Sequence, residues 1–322
     1  MHTTERVRIV IPGDDPPQLQ GSSHLARLQA AGEVVLHTDR PASDEEKLRR
    51  LRGAHVLLNS RSAVKWPGTL LRQLPELKMI TVCGIGTDAI DLATARELGI
   101  VVSNIPGETA PIVAEHALAL MFAVARKTWY LTDRVKRGLW KAPDNVYLRG
   151  KMLGVVGAGP IGREMIRLGR AVGLNVQAWT FHPDAARAAE LGVPFVSLDE
   201  LLRTSDVVSL HVKLTDDTRG LIGAEQIAAM KPGAFLINTA RGAVVDSRAL
   251  AAALHTGHLG GAGIDVFETE PVVGDDPLLA CEHVVLTPHV ADQNREGMEI
   301  LNRGAVDNVL AFLEGRPRNR VV

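Results

Sequence analysis

The stretch Met152-Leu153-Gly154-Val155-Val156-Gly157-Ala158-Gly159-Pro160-Ile161-Gly162 decides how this chain folds. Its first five residues form a short apolar run that reads as a buried strand, and Ile161–Val172 reads as a helix. Between them lies a Gly-x-Gly-x-x-Gly loop. In that setting the first glycine permits a tight turn, and the second lets a pyrophosphate approach the backbone. The third lets the helix pack closely, with its positive end towards the phosphates. Such a loop is a weak signal alone and a strong one between a strand and a helix. Gly157, Gly159, Pro160, Ile161 and Gly162 are therefore candidate contacts to a dinucleotide.

Outward from this loop, short apolar runs alternate with amphipathic stretches. Upstream, Val7–Ile11, Val34–His37, Ala54–Asn59, Lys78–Val82 and Ile100–Ser103 read as strands, with helices at Ser22–Ala31, Ser43–Arg52, Pro67–Leu74 and Ile90–Leu98. Downstream, strands are expected at Asn175–Trp179, Val193–Val196, Val207–His211, Ala234–Asn238, Gly263–Phe267 and Val284–Thr287, then a last helix at Arg295–Leu313. Ser43 to Glu46 and Ser197 to Glu200 have capping-box spacing. Between the two series runs a long helical stretch from Thr109 to Arg137, with Ala114, Leu118, Met121, Phe122, Ala125 and Trp129 on one face, ending at Gly138. Strand–helix alternation forces parallel pairing with right-handed crossovers, so the fold class is α/β with two doubly wound parallel sheets.

Composition agrees. A length of 322 residues suits two domains, and 46% apolar with 23% charged residues is ordinary for a globular protein. The net charge of −1, without a basic block, argues against a nucleic-acid partner. The longest stretch free of charged residues, Ala249–Ile264, is shorter than the ~20 residues of a membrane span and contains four glycines. Residues 1–14 lack an apolar core of signal-peptide length. Cys83 and Cys281 form no disulfide framework, which suggests reduced thiols in a cytoplasmic protein, and no cysteine–histidine cluster has metal-ligand spacing.

A dinucleotide loop is usually followed ~20 residues later by an acid that bonds the ribose 2′-hydroxyl of NAD. Here no acid occurs from Met165 to Pro183, and Thr180 stands at the expected place. A 2′-phosphate is then not repelled, yet no arginine stands at the strand end, and Arg187 lies a helical turn further on. NAD and NADP both remain open. His211, ending the strand after Asp206, is a further candidate at this site.

Three later segments sit at strand ends, where an open parallel sheet borders its ligand crevice. They are Asn238-Thr239-Ala240-Arg241-Gly242, Gly263-Ile264-Asp265-Val266-Phe267-Glu268-Thr269-Glu270-Pro271 and Thr287-Pro288-His289. They offer an arginine, a carboxylate and a histidine. That set suits redox chemistry at a carbon bearing oxygen next to a carboxylate. The arginine pairs with the carboxylate, the histidine moves a proton and the acid holds the histidine.

These segments, with Gly84-Ile85-Gly86-Thr87-Asp88, Asn104-Ile105-Pro106-Gly107 and Ala114-Glu115-His116, resemble the D-isomer-specific 2-hydroxyacid dehydrogenase family over nearly the whole chain. The resemblance implies NAD- or NADP-dependent interconversion of a 2-keto acid and its D-2-hydroxy acid. It makes His289 the acid/base and Glu270 its orienting partner. Arg241 would bind the substrate carboxylate, with backbone donors at Gly84, Ile85 and Gly86 on its other side. Thr239 and Ala240 would pass beside the nicotinamide, and Asp265 would contact its amide. It further implies a flavodoxin-like substrate domain, residues 1–103 plus 291–322, into which a Rossmann-type cofactor domain, residues 104–290, is inserted. A homodimer through the cofactor domains, involving the helix after Thr109, is also implied. Pro160, Lys213 and the run Val290-Ala291-Asp292-Gln293-Asn294 depart from the family pattern. A non-catalytic NAD(H)-sensing protein, like the corepressors of the same family, is the alternative.

Overall fold

The computed structural model describes residues 6–61, 64–141, 143–272 and 274–322, so the beginning of the amino-terminal stretch read above lies outside it. The chain forms two compact units, one of Met1–Thr109 with Gln293–Val322, the other of Ala110–Asp292.

The first unit alternates β1 (Arg8–Ile11), α1 (Leu25–Ala31), β2 (Glu33–Leu36), α2 (Asp44–Arg50), β3 (Val56–Ser60), α3 (Gly68–Leu71), β4 (Met79–Cys83), α4 (Leu92–Glu97) and β5 (Val101–Ser103). Its parallel sheet has the order β2-β1-β3-β4-β5, which is the flavodoxin order. Successive strand residues point to opposite faces. Val10, Leu57, Ile80 and Val82 accordingly build one core, and Ile9, Ile11, Val56, Leu58 and Met79 the other. The last helix, Arg295–Leu313, adds Leu301, Ala305, Val306 and Val309 to the second core. Each fully buried leucine, isoleucine, valine or methionine among them contributes roughly 1.5–3 kcal/mol.

The second unit holds α5 (Ala110–Arg126), α6 (Thr128–Lys136), β6 (Met152–Val156), α7 (Pro160–Ala171), β7 (Asn175–Trp179), α8 (Ala185–Leu191), α9 (Leu198–Thr204), β8 (Val207–Leu210), α10 (Ala224–Ala229), β9 (Phe235–Asn238), α11 (Ser247–His255), β10 (Gly261–Ile264) and β11 (Val284–Leu286). The sheet order is β11-β10-β9-β8-β6-β7, all parallel. Leu153, Val155 and Ile237 face α5 and α7, while Val156, Val208, Leu210 and Leu236 face the opposite core. Gly261 and Gly263 let α5 lie directly on β10, since a Cβ there would stand 2.7 Å from Val124 and 2.9 Å from Leu120.

Three expectations need correction. Val193–Val196 is not a strand: Phe195 makes an isolated parallel bridge to Ala178, beyond β7. Its place completes the dinucleotide-fold order 3-2-1-4-5-6, but Pro194 has no N–H to donate to a ladder. The single long helix is two. Lys127 adopts φ 50°, in the left-handed region, and separates α5 from α6. Ala114, Met121 and Ala125 are buried as read, whereas Phe122 and Trp129 face solvent. The first capping box is half-formed: Ser43 Oγ accepts from Glu46 N at 3.2 Å, but the Glu46 carboxylate accepts from Ala42 N, 2.9 Å away.

Candidate functional site

At the end of β6, Gly157 takes φ 98°, and a Cβ there would stand 2.8 Å from the His211 carbonyl oxygen. A Cβ on Gly162 would overlap the Gly157 carbonyl. These two glycines are thus dictated by turn and packing. Gly159 is different, because a Cβ there meets no atom within 4 Å. Protein packing does not require glycine at that point, but close approach of a ligand to the backbone does. Gly159 also precedes α7 without offering a side-chain cap, so first-turn N–H groups remain for an anion. Pro160 at the helix start withholds one donor, and Ile161 and Gly162 retain theirs.

His211 follows β8 with its Nε2 2.9 Å from Ser209 Oγ. Its Nδ1 is buried without a hydrogen-bond partner among the described residues, as is Thr239 Oγ1 at the end of β9. Burial pushes the His211 imidazole down to about 3, so the ring is neutral near pH 7. The orphaned polar atoms and the unfilled loop at Gly159 fit a bound dinucleotide. Thr180 is half-buried just past β7.

After β9, Asn238 locks the turn that carries Arg241. Its Oδ1 accepts from Ala240 N at 3.0 Å, and its Nδ2 donates to the Arg241 carbonyl at 2.9 Å. A Cβ on Gly242 would overlap the Phe267–Glu268 peptide, so this glycine lets the arginine turn lie against the segment leading to Glu270. Glu270 Oε1 accepts from Phe267 N at 2.9 Å, and Oε2 lies 2.7 Å from His289 Nδ1. Burial alone would raise the Glu270 pKa. The His289 hydrogen bond and charge, the Phe267 N–H and the Arg241 charge more than offset it, and the carboxyl sits below its ordinary value. The carboxylate and the histidine are therefore in contact, and the turn that carries the arginine lies against the segment leading to that carboxylate.

His289 has φ 54°, a conformation that costs a non-glycine residue of order 1–3 kcal/mol unless its surroundings impose it. Asp265 does so. His289 N donates to the Asp265 carbonyl at 2.7 Å. The Asp265 carboxylate accepts from Thr287 Oγ1 at 2.6 Å, Val290 N at 2.9 Å and Ala291 N at 3.0 Å. His116 Nε2, from α5, stands 3.4 Å from the same carboxylate and 3.1 Å from Thr287 Oγ1. Asp265 exposes no surface. Burial pushes its pKa up, but His116, Thr287 and the backbone donors outweigh that and hold it below the usual range. The sequence quoted His116 in a motif without giving it work; its place beside Asp265 emerges from the packing of α5 on the sheet.

In the first unit, the Gly84-Ile85-Gly86 loop follows β4, and all three residues are half-buried. Asn104 Nδ2 donates to the Ile85 carbonyl at 2.7 Å, and Ile105 N to the Gly84 carbonyl at 2.9 Å. Arg61 donates to Gln293 at 2.7 Å. No helix among the described residues is long and apolar enough to cross a membrane.

A dinucleotide-binding sheet with an Arg–Glu–His set at its strand ends defines an oxidoreductase. Residues 118–291 match the family described as D-isomer specific 2-hydroxyacid dehydrogenase, NAD binding domain. The glycerate dehydrogenase of Methylorubrum extorquens is 39% identical over 86% of this chain and 88% of its own. A glyoxylate reductase of Korarchaeum cryptofilum is 40% identical over 77% of this chain and 76% of its own. Among solved structures, the NADPH-dependent glyoxylate/hydroxypyruvate reductase of Sinorhizobium meliloti, in complex with NADP and malonate, superposes with a TM-score of 0.85. It is 30% identical, covering 99% of this chain and 97% of that one. The chain belongs to the D-isomer-specific 2-hydroxyacid dehydrogenases. It is an NAD- or NADP-dependent oxidoreductase that interconverts 2-keto and 2-hydroxy acids, and the alternative of a non-catalytic sensor finds no support among these relatives.

Proposed function

We propose that this chain reduces a small 2-keto acid to its D-2-hydroxy acid, and runs the reverse oxidation, with His289, Glu270 and Arg241 as its catalytic residues. The observation that carries the assignment is the 2.7 Å contact between His289 Nδ1 and Glu270 Oε2 at a strand end, with the Arg241 turn packed through Gly242 against the segment leading to Glu270. Bound NAD(H) or NADP(H) supplies or accepts the hydride at C2. With Nδ1 bonded to Glu270, proton exchange with the substrate oxygen runs through His289 Nε2. Glu270, kept ionised at neutral pH, fixes the tautomer and orientation of the ring. Arg241 pairs with the substrate carboxylate and polarises the keto oxygen. Thr239 and Ala240 flank the nicotinamide, whereas Asp265, expected to contact its amide, exposes no surface and acts through the segment that it holds. Thr180 and His211 border the adenosine half. The names of the relatives favour glycerate, glyoxylate and hydroxypyruvate as substrates.

A cytoplasmic homodimer completes the proposal. Phe122, Trp129, Val135, Leu139, Trp140 and Tyr147, on and after α5 and α6, are large apolar side chains at the surface, which suits a partner copy. Sedimentation at micromolar concentration should give twice the monomer mass. The decisive assay follows oxidation of NADH and of NADPH with glyoxylate, hydroxypyruvate and larger 2-keto acids. Turnover is expected with at least one. A folded protein inert towards all of them would refute the assignment.

A further inference from the structure

We propose that Arg187 binds the 2′-phosphate of the cofactor's adenosine ribose, so that this chain takes NADP(H) in preference to NAD(H). The inference rests on the dinucleotide-dependent reading above and specifies its cofactor. It starts from what Thr180 is not. A carboxylate just past β7 would select the free 2′-hydroxyl and repel a phosphate, and no acid occurs between Met165 and Pro183.

In sequence Arg187 lies a helical turn beyond the strand end, which left NAD and NADP both open. The fold brings it back. Residues 180–184 reverse the chain after β7, and α8 sends the Arg187 side chain back onto the glycine loop, where Nη2 donates to the Ala158 carbonyl. Ala158 lies between the turn glycine Gly157 and Gly159. Gly157 N in turn donates to the Trp179 carbonyl at 2.9 Å, so the loop and the end of β7 are directly joined. A guanidinium anchored at Ala158 is therefore beside the place where the ribose hydroxyls of a dinucleotide lie in this fold.

Its surroundings leave the charge available. The guanidinium carbon lies 5.9 Å from the Phe195 ring centre, a cation–π contact that leaves its charge in place. Arg187 Nε is buried with no hydrogen-bond partner among the described residues. Of the neighbouring acids, Asp184 caps α8 by accepting from Arg187's backbone N–H at 2.8 Å, and Glu190 pairs with Arg163 at 3.1 Å. A guanidinium carries five donors in a planar fork, and a phosphate is the ligand that fork matches.

The test needs no turnover. Wild-type protein, R187Q and R187K are titrated calorimetrically with NADP⁺ and with NAD⁺, which differ only by the 2′-phosphate. Wild type should bind NADP⁺ about tenfold or more tighter. R187Q should lose that preference while its NAD⁺ affinity stays within about twofold, and R187K should keep part of it. The preference should shrink as salt rises. Equal affinities in the wild type, or equal weakening of both in R187Q, would overturn the proposal and leave Arg187 as a brace of the loop. A folded wild type that binds neither nucleotide would also defeat the functional reading, whereas NAD⁺ binding without preference defeats only the role of Arg187.

Discussion

Asp14, shortly after β1, and Asp265, directly after β10, are both carboxylates that expose no surface, and both bind backbone N–H groups. Asp14 accepts from Gln18, Leu19 and Gln20 and from Ser60 Oγ, the last at 2.7 Å. It closes its own loop and ties it to the end of β3. Asp265 instead receives donors from the segment beyond β11, the one that carries His289, and has His116 beside it. One device, a buried anion satisfied by backbone donors, serves shape in the first unit and the aim of an imidazole in the second. The difference lies in whose backbone is held.

Substitutions separate the two roles. The largest effect belongs to the group that Asp265 aims: His289→Ala should lower kcat by about 10²–10⁴-fold, measured by cofactor oxidation at saturating substrate. Asp265→Asn should lower kcat by about 10²-fold with His289 still present, because a misplaced acid is a poor one. Asp14→Asn is expected to cost about 1–3 kcal/mol of stability in urea unfolding and to leave kcat within about twofold. If Asp14→Asn slows turnover as much as Asp265→Asn, the contrast fails. His116→Gln should change kcat less than Asp265→Asn does, by about two- to tenfold.

Acid sharpens the comparison from another direction. Asp265 and Glu270 sit below ordinary carboxylate values in the folded protein, so they bind protons less readily there than in the unfolded chain. Their contribution to stability is complete above roughly pH 4 and is lost as pH falls through the depressed values. His211, lowered to about 3, acts in the same sense over a higher window, withdrawing stability as pH drops below roughly 6.5. The urea midpoint should therefore be lower at pH 4 than at pH 7, and Asp265→Asn should flatten the fall below pH 4.

Much of this was legible in order along the chain. Arg295–Leu313 and Asn175–Trp179 form the helix and strand that their patterns call for, because apolar periodicity reflects a buried face directly. Val193–Val196 has strand composition, yet one proline at a sheet edge limited it to a bridge. The break at Lys127 left no comparable sign, since a left-handed lysine has no local signature.

The same division applies to function. Sequence alone determined the two parallel sheets and the glycine loop and offered an arginine, a carboxylate and a histidine at strand ends, because spacing around strand ends is a local property of the chain. It was the family resemblance that singled out Arg241, Glu270 and His289. Only the tertiary structure decided that Arg187 folds back to Ala158, that His116 stands against Asp265, and that Asp265 holds the Thr287 hydroxyl and the Val290 backbone on either side of Pro288 and His289. Those contacts join residues at least 22 positions apart in the chain, the separation of Asp265 and Thr287. Pairings at that range are set by how helices and loops pack on the sheet, which no short stretch of sequence encodes.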